Sequence, residues 1–259
     1  MARYLRYAHQ GATHFGELQG ATIQPLEGAL GALRPAPLPP VELAEVQLLA
    51  PTVPSKIIAI GPNFHAPFRG ANAAPPMELM YWTKPATGLN HPEGPIELPP
   101  GVPAVNYEVE LAIVIGRRAT RVSRAEAHEF IFGFTCMNDV TAGDLVTPGA
   151  FMSSPYFVYG KTYDGFAPLG PWIVTGIDTA CLHMETRLNG EVRQSHSTSD
   201  RIFSPEEVVE RVSHVQTLLP GDVISMGSPP GVGPLADGDV VEVEIEAIGT
   251  LRNYARARK

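Results

Sequence analysis

The sequence predicts an α+β protein in which strand outweighs helix, on three observations. Only two segments carry helix start signals, strand-like runs dominate elsewhere, and the two do not alternate as βαβ units would require. Twenty-six prolines and twenty-five glycines among 259 residues imply many turns. With 44% hydrophobic and 18% charged residues, the chain is long enough for one large core, or a core plus a small appendage. A formal charge of −8 without any basic run argues against nonspecific nucleic-acid or anionic-membrane binding. Cys136 and Cys181 are too few for a disulfide framework, which fits a reducing, cytoplasmic setting. The opening "MARYLRYAHQG" has no apolar leader core, and no later segment reaches transmembrane length.

In chain order, residues 1 to about 34 read as short strands with turns, for example "RYLRY" and "THFGELQG". A proline-rich connector, "RPAPLPPVELAEVQLLAPTVPS", follows, and its apolar residues suit either the core or a partner chain. A boundary near residue 50 divides a small N-terminal β unit, 1–50, from a larger unit, 51–259. "KIIAI" is a strand ending at "GPN", and His65 to Pro76 reads as a loop. "SRAEAHEF" predicts a helix with a capping box of Ser123 and Glu126, and Gly133 just beyond its end. "SPEEVVERVSHVQTLLPGD" predicts a second, with Ser204 as N-cap, Pro205 at the first position, Glu207 closing the box and Pro220–Gly221 stopping it. "GPWIVTG", "DVISMG" and "VVEVEIEAIG" are strands.

The stretch "NYEVELAIVIG" carries the chemistry. Alternate strand residues share a face, so Val109, Leu111, Ile113 and Ile115 lie on one side and Glu108, Glu110, Ala112 and Val114 on the other. Both faces are largely apolar, the pattern of a strand covered on both sides. In "VVEVEIEA", by contrast, Glu242, Glu244 and Glu246 alternate with Val241, Val243 and Ile245 and form a solvated face that needs no ligand. Two adjacent carboxylates in a dry place need protonation, a basic partner or a metal. Same-face carboxylates are half a site for a hard divalent cation, and "CMNDVTAGDLV" offers Asp139 and Asp144 as further acids. The simpler reading is a strand end near solvent with a lysine or arginine neutralising the pair.

The blocks "KIIAIGPNF", "YEVELAIVIGR", "GFTCMNDVTAGD", "YGKTYDGFAPLGPWIVT" and "LLPGDVISMGSPPGVGPLADGDVVEVEIEAIGTLRN" resemble, in order, those of the fumarylacetoacetate hydrolase family over roughly residues 56 to 253. The resemblance implies a β-rich mixed-sheet roll or sandwich behind a small N-terminal strand domain, and commonly a homodimer. It implies that Glu108, Glu110 and Asp139 hold Mg²⁺ or Mn²⁺, with positions left open for a 2-oxo acid and its enolate. Lys161 matches the family's active-site lysine, although an exposed turn lysine is the commoner fate of the residue type. Gly227 and Ser228 stand where the family has a substrate-contacting Gly-Thr, or else form a glycine-rich hairpin turn. Asp164 shares the Lys161 block, as a substrate contact or a turn cap. His65 is either a displaced base on a loop or a polar loop histidine, since no Glu follows it at helical spacing and Glu78 is the first downstream acid. Thr141, Gly143 and Val146 replace the family's usual Ser, Arg and Gln.

Together these features imply an enzyme acting on 2-oxo or 2-hydroxy-dienoic diacids, closest to the 2-hydroxyhepta-2,4-diene-1,7-dioate isomerase branch of aromatic catabolism. A carbon–carbon hydrolase of a fumarylpyruvate-like acid, an oxaloacetate decarboxylase and a noncatalytic metal-binding relative are the alternatives. The histidines lack the spacing of a zinc site. Pro155 breaks a phosphate-loop reading of "GKT", and the chain has no Gly-x-Ser-x-Gly elbow.

Overall fold

The computed structural model describes residues 1–69, 74–143 and 157–258, so the expectations resting on Asp144, Val146 and Pro155 lie outside the described residues. The largest sheet runs, in hydrogen-bonded order, Arg34–Pro35, Thr22–Glu27, Ala12–Gln19, Ala2–His9, Ala167–Thr175, Ile131–Asn138, Val109–Ile115, Val223–Ser225, Ile57–Ile60 and Tyr81–Lys84. Along this path the neighbours are antiparallel except Val223–Ser225 and Ile57–Ile60. A second sheet, ordered Pro95–Leu98, Gly249–Ala257, Val240–Ile245, His183–Leu188 and Glu191–Ser197, packs across the first. A small third sheet joins Thr141–Ala142, Val105–Tyr107 and Gly233–Leu235. This is the β-rich α+β architecture the sequence predicts.

Every residue of Val109–Ile115 is buried, as its two apolar faces require. Val109, Leu111, Ile113 and Ile115 pack with Met184, Val243, Ile245 and Leu251 of the second sheet and with Val208, Val209 and Val212 of a helix. On the opposite face Ala112 meets Ile57 and Val223, and Val114 meets Leu30 and Ile173. Each fully buried aliphatic side chain here contributes about 1.5–3 kcal/mol.

The helix Pro205–Val215 forms behind its predicted cap. Glu207 N donates to Ser204 Oγ at 3.3 Å, and Ser204 N donates to Glu207 Oε2 at 2.9 Å. It stops at Val215, before Pro220, because Leu218 exchanges backbone hydrogen bonds with Ala119 and is itself buried. The predicted "SRAEAHEF" helix does not form. Only the 3₁₀ turn Ala127–Phe130 is present, and Ser123 Oγ donates to the Glu126 carboxylate instead of capping a backbone amide. A turn this short has too few hydrogen bonds to repay nucleation, and Ile131 already belongs to a central strand.

Glu242 and Glu244 lie opposite the buried Val241, Val243 and Ile245, and are bridged by arginines: Arg187 to both, Arg252 to Glu242. Glu246 falls beyond the strand and accepts from His183 N. In the connector, Val41 is buried against Leu5, Tyr7, Leu18 and Ile23, and Leu43, Val46 and Leu48 pack on the same cluster. Those residues therefore cover the chain's own core. No helix among the described residues is long and apolar enough to cross a membrane.

Candidate metal centre

Strand register brings the acids together. Val109 pairs with Asn138 and Glu110 with Met137, so Glu108, one residue earlier, stands opposite Asp139, one residue later. Glu108 sits at a break between Val105–Tyr107 and Val109–Ile115, and side-chain hydrogen bonding holds the break. Its N–H donates to Asn138 Oδ1 at 2.8 Å, while its carbonyl accepts from Asp139 N at 3.0 Å. The result is a cluster in which one carboxylate oxygen each from Glu108, Glu110 and Asp139 lie within 4.8 Å of one another. All three residues are buried, with relative exposures of 8%, 1% and 0%.

Two fully buried lysines face this cluster. Lys161 Nζ lies 2.5 Å from Asp139 Oδ2 and 3.0 Å from Glu108 Oε2, and 5.3 Å from the centre of the Trp82 ring. Lys84 Nζ takes the other Asp139 oxygen at 2.5 Å and donates to the Val140 carbonyl at 3.1 Å. Burial raises Glu108 and Glu110, Glu110 the more, with the Asp139 charge adding to both. Burial would also raise Asp139, but Lys161 and then Lys84 overcome it and hold the carboxyl below its ordinary value. Lys161 is held above the ordinary lysine range because Asp139, Glu108 and Glu110 outweigh its desolvation. Lys84 is lowered, first by burial.

Of the remedies open to a buried acidic pair, a basic partner is thus present, although deep in the protein and not at a solvated strand end. Three carboxylates against two ammonium groups still leave one formal negative charge. An all-oxygen donor set with that balance fits a hard dication, and Lys161 Nζ, between Glu108 and Asp139, is a stand-in cation. Glu108, Glu110 and Asp139 are the residues that would hold it.

Around the acids, Gly227 N donates to Glu110 Oε2 at 2.8 Å, and Ser225 Oγ donates to the same oxygen. Gly227 has φ +83°, and a Cβ there would lie 2.9 Å from Asn63 Cβ, so glycine is required. Thr141 Oγ1 lies 2.5 Å from Glu108 Oε1 and 2.9 Å from the Asp139 carbonyl, so the Ser-to-Thr difference keeps its hydroxyl. At Gly143, a Cβ would fall 2.2 Å from Asn106 Nδ2: the Asn106 amide fills the space a larger residue would need. Ser228 Oγ accepts a hydrogen bond from Gln194. Asp164 is exposed and lines a surface pocket of about 300 Å³ with Glu97, Thr162, Tyr163 and Arg258, apart from the acids. His65 is also exposed, its N–H donating to the Asp200 carbonyl, and among the described contacts it makes none with the cluster. Sequence reasoning missed Lys84 and Ser225. The available signal was strand parity, which places Lys84 on the same side of Tyr81–Lys84 as the buried Trp82.

Residues 56–256 match the model of the fumarylacetoacetate (FAA) hydrolase C-terminal family. The chain belongs to the fumarylacetoacetate hydrolase family. Residues 2–51 match a second model, Rv2993c-like, N-terminal. Among solved structures, this family member is similar to 2-hydroxyhepta-2,4-diene-1,7-dioate isomerase from Mycobacterium marinum, with 37% identity, TM-score 0.89, and coverage of 100% of this chain and 99% of that one. It is also similar to maleylpyruvate hydrolase from Sphingobium sp. SYK-6 in complex with manganese (II) ion and pyruvate, at 29% identity and TM-score 0.80, over 99% of this chain and 100% of the other. The human mitochondrial oxaloacetate tautomerase FAHD2B is 37% identical over 252 residues, 93% of this chain and 78% of the relative.

Proposed function

We propose that this family member is a Mg²⁺- or Mn²⁺-dependent isomerase of small 2-oxo or 2-hydroxy-dienoic diacids, 2-hydroxyhepta-2,4-diene-1,7-dioate being the model substrate. The observation that carries the reading is the buried Glu108–Glu110–Asp139 cluster with Lys161 against it. A divalent cation held by Glu108, Glu110 and Asp139 would supply Lewis acidity toward a 2-oxo acid. Lys161 supplies a positive charge against the acids, buried deep in the protein, where charge stabilisation is strongest. Lys84 keeps Asp139 ionised and oriented. Gly227 N–H is committed to Glu110, which leaves the Ser228 hydroxyl, held by Gln194, as the polar group of that turn assigned to substrate.

Isomerisation is favoured over hydrolysis because it moves a proton and needs no activated water. His65, the candidate base for such a water, is exposed and tied through its backbone to Asp200. Similarity to an isomerase and to an oxaloacetate tautomerase supports the same class, since both names describe rearrangement without loss of atoms. Similarity to a maleylpyruvate hydrolase supports carbon–carbon hydrolysis as the second reading.

The test is an assay of the diene-dioate, oxaloacetate and fumarylpyruvate with Mg²⁺ or Mn²⁺ and after chelation, followed by absorbance and mass spectrometry. A product of unchanged mass, formed only with metal, is expected. Two fragments or CO₂ would establish the cleavage reading. Turnover surviving rigorous metal removal, or metal binding with no turnover of any 2-oxo acid, would overturn the proposal.

A further inference from the structure

Gln194 is a fully buried amide on the otherwise largely exposed edge strand Glu191–Ser197. All its hydrogen-bonding capacity is used. Oε1 accepts from Val109 N at 3.0 Å and Thr186 Oγ1 at 2.8 Å, while Nε2 donates to Ser228 Oγ at 3.0 Å and the Pro229 carbonyl at 2.8 Å. The opposite amide orientation would set NH₂ against the Val109 N–H and a carbonyl against the Pro229 carbonyl, so this arrangement fixes the amide. The Val109 N–H belongs to the peptide joining Glu108 to Val109, between the two glutamates. The neighbouring strand Val223–Ser225 pairs only with residues 112–114 and does not reach it. Beyond that strand, Gly227 N grips Glu110, and the next residue is Ser228. The turn is also pressed onto the edge strand: at Gly231, φ +103°, a Cβ would lie 2.5 Å from the Arg193 carbonyl and 3.1 Å from Gln194 Cγ.

We infer that Gln194 is a positioning residue that locks the backbone between Glu108 and Glu110 to the Gly227–Ser228–Pro229 turn, so that the second sheet sets the geometry of the metal cage and of the Ser228 hydroxyl together. The inference rests on the metal-dependent reading above and assigns a function to a residue that touches neither ion nor substrate. One half of the amide serves the acids, through Val109. The other half serves the turn, through Ser228 and Pro229. The two halves are separable by substitution. Gln194→Glu keeps acceptor oxygens for Val109 and Thr186 but loses the donors to the turn, whereas Gln194→Leu loses both.

The experiment measures Mn²⁺ binding by calorimetry, pyruvate binding to the Mn²⁺-loaded protein, and the thermal midpoint of the metal-free protein. Gln194→Leu is expected to weaken Mn²⁺ by about tenfold, the low end for removing a partner one step from a metal ligand. Gln194→Glu is expected to recover most of that loss, yet to weaken pyruvate as far as Ser228→Ala does. Thr186→Val breaks only the bond inside the second sheet, so it is expected to lower the midpoint and leave Mn²⁺ affinity unchanged. Gln194→Leu binding both probes like the unsubstituted protein would overturn the positioning role. So would affinity losses that merely track the midpoint across all variants. Should Gln194→Leu not fold, Gln194→Glu against Ser228→Ala decides, and pyruvate affinity unchanged in Gln194→Glu counts against the inference. Absence of Mn²⁺ binding by the unsubstituted protein would remove the metal reading itself, a distinct result.

Discussion

Asp139 carries a lysine on each carboxylate oxygen, and neither lysine has contact with water. Asp139→Asn would leave the buried Lys84 facing a neutral amide and Lys161 with Glu108 as its remaining carboxylate. Such a loss costs about 3–5 kcal/mol, because the Lys84 charge left behind stays buried without its carboxylate partner. Urea unfolding of the metal-free protein should show that loss, and Mn²⁺ binding should vanish; a loss below about 1 kcal/mol would mean the lysines relax to solvent. Glu110 gives the complementary pH prediction. Burial, then the Asp139 charge, raises its carboxyl, so the folded metal-free protein holds this proton more tightly than the unfolded chain does. Stability of the metal-free form therefore rises as pH falls toward the unfolded value, while a cation must displace the proton. The Mn²⁺-induced rise in thermal midpoint should shrink between about pH 8 and about pH 5.5. A rise that grew on acidification would contradict it. Glu108, Glu110, Asp139 and Lys161 were legible in the sequence because like charges inside an apolar strand demand compensation, and because the family blocks align them. Lys84 was not: before Pro85, at the end of a short strand, a lysine reads as exposed, strand parity hints only at its burial, and the folded side-chain contact with Asp139 reveals its partner.

Among the elements, the Pro205–Val215 helix was legible because its cap is local chemistry, complete within four residues. Ser204→Ala removes the acceptor for Glu207 N and should destabilise by about 1 kcal/mol, read from denaturant midpoints at unchanged slope. The Ala127–Phe130 turn was misread because a similar local signal there is overridden by the strand that follows. The acidic face of Val240–Ile245 was readable as solvent-facing, but its arginine partners come from other strands, His183–Leu188 and Gly249–Ala257, and depend on register. Hydrogen bonds from Arg252 and Arg187 lower Glu242, and those from Arg187 and Thr250 lower Glu244. With folded pKa values depressed, their stabilisation is present above the ordinary carboxylate range and lost as pH falls through the lowered values. Solvent screening limits each pair to about 0.5–1 kcal/mol. Arg187→Met should therefore destabilise at neutral pH and approach no effect once pH has fallen below those lowered values. An equal loss in both pH ranges would assign Arg187 a packing role instead.

At the scale of the whole molecule, the proline-rich connector, residues 34–55, runs through the end of the 2–51 family match and stops just before the 56–256 match begins. Hydrogen bonding nonetheless crosses that point. Ala2, Arg3 and Tyr4 pair with Thr175, Val174 and Ile173, so the N-terminal strands extend the same sheet that holds the acids. Leu30 packs on Val114 and Ile173, and Tyr4 and Phe15 pack beside Phe132 on the same cluster. The carbonyl of Gly116 lies 2.2 Å from where a Cβ on Gly31 would stand, so the N-terminal turn seats directly on the end of the metal-bearing strand. Composition marked the connector, but it could not show this docking, because the contacting residues lie far apart in sequence. A fragment of residues 51–259 would expose the Ile173–Thr175 edge and the apolar side of Val114. It should therefore associate or precipitate, bind a hydrophobic dye and unfold at a lower midpoint than the whole chain, as gel filtration and thermal scans would show. A monomeric fragment with an undiminished midpoint and full Mn²⁺ affinity would mean that the N-terminal strands decorate the metal-bearing sheet and do not complete it.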